Sequence, residues 1–436
     1  RYEFAMCEGA LSWKEGEHER AALSILAAIR LRPGDPEANS LFLGAVKDLC
    51  RQKEGDAATE ATALDLLGQR AAIEPGYEPA ADFANELDVR RSNREREAAK
   101  PPPEPELDAN TLVVSGSIAG AYRSVADAIE AAGPGMRILI RAGEYELDDE
   151  LELRDGLRIV GESRDKVLLF GRGSGGTLLR ADEVKDATLS NITFRGDGGG
   201  GRPQVRIQES TIQIEDCTFL NPGDESVEIT KSGAPRFIRC TFADLGAEGI
   251  VVDGERCNPL FKECRVERRR RELNASERED AFDDKSSLGI VFRGEANGQV
   301  VDTICRGHRV GVLVEGKGTR ARLLRVTVTD CLVGIEIRDA TGEVSDCRLT
   351  RCPSCGIRVI EDDAAPVLRG NDCAGSKIGI HFLDKASGRA ESNVVRDAVS
   401  GFLVEDAASP ALTGNTCTGS GNGLHYVDAG GTARNN

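Results

Sequence analysis

Aromatic side chains make up only 4% of this 436-residue chain, and its single tryptophan is Trp13. A carbohydrate groove built on stacked indole and phenol rings is therefore poorly supplied. No run approaches 18 apolar residues, so no segment is expected to span a membrane. An excess of positive charge is also missing. The formal net charge is -17, which argues against nucleic acid as a partner, since phosphate binding needs a basic face. The chain opens on Arg1 without a charged region followed by an apolar one, and it stops at Asn436 about one strand into a repeat. Both ends are expected to continue into further domains.

Against these shortages stands a rhythm. A small residue followed by an apolar one recurs at Ser226-Val227, Gly249-Ile250, Gly289-Ile290, Gly311-Val312, Gly334-Ile335, Gly356-Ile357, Gly379-Ile380, Gly401-Phe402 and Gly423-Leu424. The steps are 23, 40, 22, 23, 22, 23, 22 and 22 residues, so one step carries an insertion. A short, strict period means stacked units, each burying its apolar residues against its neighbours. Each unit alternates like a strand, as in Gly334-Ile-Glu-Ile-Arg338. Short strands at this period close into one turn per repeat. The expectation is a mainly β protein, a right-handed parallel β-helix, with handedness set by the crossover preference of parallel strands.

Other columns agree. Pro366-Val-Leu-Arg-Gly-Asn-Asp-Cys373 returns 44 residues later as Pro410-Ala-Leu-Thr-Gly-Asn-Thr-Cys417. Cysteine falls nine residues before the glycine column at 217, 240 and 347, and six before it at 305, 373 and 417. In-register thiols of this kind are expected to point inward as small hydrophobes. Unpaired, they suit a reducing compartment, and a cytoplasmic location follows as an expectation.

Residues 1–90 are different: rich in Ala, Leu and Glu at helical spacing, with Pro33-Gly34 and Pro75-Gly76 ending helices. Counting back from Pro33, small or apolar residues fall on Gly9, Ala21, Ile25 and Ala28. This segment resembles tetratricopeptide repeats, which implies a helical module that docks peptides or protein partners; a plain helical spacer is the other reading. A charged, then proline-rich linker is expected over 91–110, and the β-helix over 111–436.

Tyr122-Arg-Ser-Val-Ala-Asp-Ala-Ile-Glu-Ala-Ala-Gly, followed by Met136-Arg-Ile-Leu-Ile140 and Leu157-Arg-Ile-Val-Gly161, resembles the opening of pectin-lyase-like β-helix proteins, notably pectin esterases. Its first half reads as an amphipathic helix near 123–132, placed to cover the open end of the stack and blunt edge pairing. The later Pro-x-Leu-x-Gly-Asn and Gly-Ile columns resemble the β-helix repeats of F-box proteins and of periplasmic sugar-handling relatives. The resemblance implies the fold and leaves activity open.

Three candidate sites follow. Pectin esterases use two aspartates about one coil apart. Asp224 and Glu248 lie at similar places here, although Glu replaces the second Asp and Gly223 stands where the family has glutamine. Solvated turn acids are the alternative. The second candidate is the position two past the glycine: Glu228, Glu336, Arg358, His381 and His425. It should face outward, stacking acid, cation and imidazole into a stripe able to bind and protonate an anionic sugar, or simply an exposed salt-bridge ladder. Third is the insertion near 267–285, where Arg268, Arg269, Arg270 and Arg271 could grip a carboxylate or phosphate.

Lesser signals are read as structure. Cys352-Pro-Ser-Cys355 has zinc spacing but lacks four ligands. Acids four or five past the glycine (Asp253, Glu315, Asp339, Glu361, Asp384, Glu405, Asp428) line one edge. Gly196 to Gly201 is a loop, not a phosphate cradle. No metal or cofactor is expected. Two functions remain: a non-catalytic scaffold presenting a rigid face to a protein or glycan, which the scarce aromatics favour, or a polysaccharide-active esterase, lyase or epimerase.

Overall fold

A computed structural model describes residues 1–52, 57–73, 83, 87, 110–171, 176–199, 201–222, 225–246, 248–268 and 287–436. The chain divides into two compact units, Arg1–Glu106 and Leu107–Asn436.

The first unit contains α1 (Tyr2–Lys14), α2 (His18–Leu31), α3 (Pro36–Gln52) and α4 (Ala57–Ile73). Pro36 opens α3 where its missing N–H is harmless, and Asp35 Oδ1 caps the helix by accepting from the Glu37 and Ala38 N–H groups at 3.0 Å. Ala21, Ile25 and Ala28 are fully buried. A Cβ on Gly9 would fall 2.4 Å from Ile25 Cγ1, so glycine is what lets α1 approach α2. The indole of Trp13 lies over Gly44 and donates to Asp48 Oδ2 at 3.0 Å. The only tryptophan is thus committed to helix packing. The second Pro-Gly turn, at 75–76, lies outside the described residues.

The second unit is a parallel β-helix. Three sheets share the coils: sheet A of 14 strands, from Thr111–Val114 to Thr432–Arg434; sheet B of 12, from Gly143–Leu147 to Thr416–Thr418; and sheet C of 12, from Leu151–Glu152 to Asn422–Val427. In each later coil the chain runs sheet C, sheet A, sheet B and back to C. Every strand pair is parallel, for example Ile335↔Ile357 and Ile357↔Ile380. At the N-terminal end lies α5 (Val125–Ala131), whose Ser124 side chain accepts from the Ala126 and Asp127 N–H groups. Val125, Ala128 and Ile129 bury its inner face.

The core is a set of columns. Phe194, Phe219 and Phe242 stack in sheet B at 5.2 and 5.1 Å between centroids. Phe237 and Phe261 stack in sheet A. Cys217, Cys240, Cys264 and Cys347 occupy the corner from sheet A to sheet B, and Asn371, Asn393 and Asn415 continue that column. Asn371 Oδ1 accepts from the Cys347 N–H. The Oδ1 of Asn393 and of Asn415 each accept from the backbone N–H and the Nδ2 of the preceding asparagine, and each Nδ2 also donates to a carbonyl of the preceding coil. All thirteen cysteines are free thiols, and all but Cys7 and Cys417 are buried. Burial pushes Cys217 and Cys347 up to about 12, so they are inert as nucleophiles.

The glycine column opens the strands of sheet C, and none of its members needs a left-handed backbone. A Cβ on Gly334 would sit 2.5 Å from the Gly356 carbonyl oxygen, and one on Gly356 2.6 Å from that of Gly379. Close approach of successive backbones is the reason for glycine here. The left-handed turn lies elsewhere, just before the corner column of Cys217, Cys240, Thr303, Val326, Cys347 and Asn393. Asp216, Arg239, Asp302, Arg325, Asp346 and Ser392 adopt φ of 49° to 54° there. Arg239 grips Asp216 one coil back, and Arg325 grips Asp302, each through two nitrogens. Among the described residues no helix is long and apolar enough to cross a membrane.

Candidate functional site on the outer face of sheet C

Ile335 and Ile337 point into the coil, so Glu336 and Arg338 point out. A Cβ on Gly334 would meet Leu349 and Cys352 inside the core. Two successive inward positions bend the strand, which brings Val333 to the outer side. There Val333 clusters with Val291, Val310, Leu313 and Cys355.

Register pairing then builds a line. Glu336 lies against Arg358, Arg358 against His381, His381 against Leu403, and Leu403 against His425. In the other direction Leu313, Val291 and Val251 separate Glu336 from Glu228. The expected stripe is therefore contiguous only over Glu336, Arg358 and His381. Glu228 and His425 belong to the same column but stand apart.

The stripe is also not an exposed ladder. Glu336 is 3% exposed and His381 7%, because Arg338 and Arg358 close over the carboxylate and the small outer apolar cluster lies beside it. Glu336 Oε2 accepts from Arg358 Nη1 at 3.2 Å, and its Oε1 accepts from Arg338 Nη2 at 2.5 Å. Arg358 also donates to Ser354 Oγ at 3.3 Å. His381 Nε2 is 2.8 Å from Glu405 Oε1. Burial lowers the His381 imidazole below the ordinary histidine value; Glu405 opposes this and Arg358 reinforces it. The imidazole is consequently neutral near pH 7.

Arg338 was missed by the reading of a single column, and Glu405 was read only as one of a series of edge acids, not as the partner of His381. Both lie on outward positions two residues further along their strands, so same-face alternation was the signal available.

The other candidates fare differently. Asp224 lies outside the described residues, so the proposed acid pair has only one located member. Glu248 is engaged by Arg293 Nη1 at 3.5 Å. Arg269, Arg270 and Arg271, with most of the insertion, also lie outside the described residues; Arg268 is at its edge. The acid series does not form one edge. Asp253, Glu315 and Glu405 sit on outward strand positions, whereas Asp339, Asp384 and Asp428 take left-handed turns at the corner into sheet A. Cys352 faces the main core and Cys355 the outer cluster, so the pair does not converge. No group of three or more ligating side chains able to hold a metal occurs among the described residues.

One residue had no forecast. His308, at the corner from sheet B to sheet C, is fully buried, and among the described residues its ring nitrogens have no close hydrogen-bond partner. Burial pushes it down to about 4, and Arg268 adds to the shift.

A family model described as a right handed beta helix region matches residues 172–319 and 288–436, well over half the chain. The chain belongs to that family. No curated protein matches it in sequence. Among solved structures it is similar to the catalytic unit of a GH87 α-1,3-glucanase from Streptomyces thermodiastaticus, at 13% identity over 77% of this chain and 70% of that one, with a TM-score of 0.49. It is also similar to a periplasmic alginate epimerase, at 12% over 71% and 83% with a TM-score of 0.44. An alginate lyase from Paenibacillus aligns at 12% over 70% and 95% with a TM-score of 0.41. At these identities no residue role carries across.

Proposed function

We propose that the outer face of sheet C takes hold of a polysaccharide, and that His381, oriented by Glu405, moves a proton on it. The observation that carries this is the 2.8 Å contact between His381 Nε2 and Glu405, on the coil next to the Arg358–Glu336 pair. A neutral imidazole with one nitrogen held by a carboxylate keeps Nδ1 for a substrate proton. Arg358, itself fixed by Glu336 and Ser354, supplies a positioned guanidinium beside it. Because each group comes from a separate coil, their spacing is set by the backbone ladder rather than by a flexible loop.

The test is to incubate the full chain with a panel of plant, algal and microbial polysaccharides and follow reducing ends, released acid and unsaturated product. Product formation that falls by about 10²-fold or more in His381→Ala supports the reading. Undiminished activity in that variant sinks it.

The second reading is a rigid scaffold that binds a glycan or protein without turnover. It is favoured by the absence of any aromatic side chain among the described outward positions of sheet C from Arg206 to His425. Binding without product from any polysaccharide would select it.

A further inference from the structure

The arginines of this face are all taken. Arg206 Nε donates to Glu228 at 2.8 Å. Arg293 Nε donates to Asp253 at 2.8 Å, with Glu248 at 3.5 Å. Arg338 and Arg358 share Glu336. Two further outward acids are Glu315, in register with the Arg338 already bonded to Glu336, and Glu405, bonded to His381; neither brings another lysine or arginine to the described strands. Across the described outer face from Arg206 to His425, four arginines therefore meet six acids. The chain as a whole carries a net charge of -17.

A polyanion would approach this face against its field, and the charge of each guanidinium it met is already matched by an internal carboxylate. Hydroxyl groups face neither obstacle. A carboxylate offers about four lone-pair sites and a guanidinium five N–H donors, so the part-exposed Glu228, Asp253 and Glu405 and the arginines keep capacity for sugar hydroxyls without breaking a pair, while Glu336 stays covered.

From this we infer that the polysaccharide taken by sheet C is neutral, a chain of hydroxyl-bearing sugars without uronate or sulfate groups. The inference rests on the proposed glycan-binding role of this face and narrows its chemistry. Elimination and C5 epimerisation both remove a proton next to a uronate carboxyl group, so a neutral ligand leaves hydrolysis of a glycosidic or ester bond. The neutral state of the His381 imidazole fits the same ligand, since it adds no cation to the stripe.

The experiment measures binding of the full chain to neutral polysaccharides (β-glucan, α-glucan, xylan, mannan) and to polygalacturonate and alginate, by affinity electrophoresis. Salt is varied from roughly 20 to 200 mM, over which the Debye length falls from about 20 Å to about 7 Å. The expected result is retardation by a neutral polymer, unchanged by salt, with none by the polyuronates. Binding of polyuronates alone, weakening with salt, or equal binding of both classes, overturns the inference while leaving the glycan-binding role standing. Binding of neither class overturns that role itself.

Glu336→Gln provides a second arm. Freeing Arg338 and Arg358 should raise affinity for polygalacturonate by about tenfold or more at low salt. An unchanged preference contradicts the argument from pairing. If thermal unfolding shows that Glu336→Gln is not folded, Glu228→Gln frees Arg206 at a more open position and carries the same expectation.

Discussion

Glu336 and Arg358 face one another across adjacent coils of sheet C, with the carboxylate 3.2 Å from Nη1 and its side chain only 4% exposed. The carboxylate lies on the outside of a solenoid and yet is shielded like an interior one, while the Arg358 side chain that covers it is 26% exposed. Removing Arg358 leaves a buried carboxylate with Arg338 as its remaining cation. Arg358→Ala should therefore destabilise the protein by about 2–4 kcal/mol, where an exposed pair would contribute less than about 1 kcal/mol. Urea unfolding followed by circular dichroism tests this; a loss below about 1 kcal/mol would mean the pair is effectively solvated.

His308 predicts an acid sensitivity. Its folded value is pushed down to about 4 from an ordinary 6.5, so the unfolded chain binds this proton more readily than the folded one. Stability from this group is complete above about pH 6.5 and declines as pH falls toward 4, by about 3 kcal/mol in all. His308→Leu should flatten that part of the profile. Equal pH dependence in wild type and variant would show that other groups govern acid unfolding.

Gly334 and Gly414 should tolerate a side chain to different degrees. Gly334→Ala drives a Cβ to 2.5 Å from a backbone carbonyl, which cannot move without disturbing the next coil; a loss of about 2–3 kcal/mol is expected. Gly414 has φ 64°, with only Ser392 Oγ near its would-be Cβ, at 3.7 Å. Asparagine tolerates that conformation, so Gly414→Asn should shift stability by less than about 1 kcal/mol. Melting curves of the two variants decide the matter.

Asn393 links three coils. Its Oδ1 accepts from the Asn371 N–H at 3.0 Å and Nδ2 at 2.9 Å, and its Nδ2 donates to the Leu368 carbonyl at 3.0 Å. Asn393→Ala strands the Asn371 N–H and removes the side-chain donor to the Leu368 carbonyl, while Asn371 Nδ2 keeps its bond to the Val344 carbonyl; a loss of about 2–4 kcal/mol is expected. Hydrogen exchange should rise first at Asn371. An unchanged Asn371 amide would contradict the ladder.

The solenoid was legible because its period is short and its alternation survives in every coil; Gly334, Gly356 and Gly379 announce it without any structural knowledge. Why those positions are glycine was not legible, since the reason is a contact with the carbonyl one coil away. The stripe of Glu336, Arg358 and His381 followed from alternation. Its burial did not, because Val333 and Cys355 precede the glycine where the strand bends, and a strict two-residue period puts them on the wrong side. Trp13 and the inward phenylalanines show the same division. Composition revealed that rings were few, but only packing revealed that they hold the cores together.

The asparagine and glycine columns make each coil a template for the next, with little that is specific to one rung. Lengths along this protein are therefore counted in whole rungs. Excising the 23 residues from Gly356 to the residue before Gly379 would bring His381 directly beside Glu336 and leave the corner column unbroken. Any ligand read by this face is measured against a fixed comb, and evolution can change the gap between two groups only by one tooth at a time.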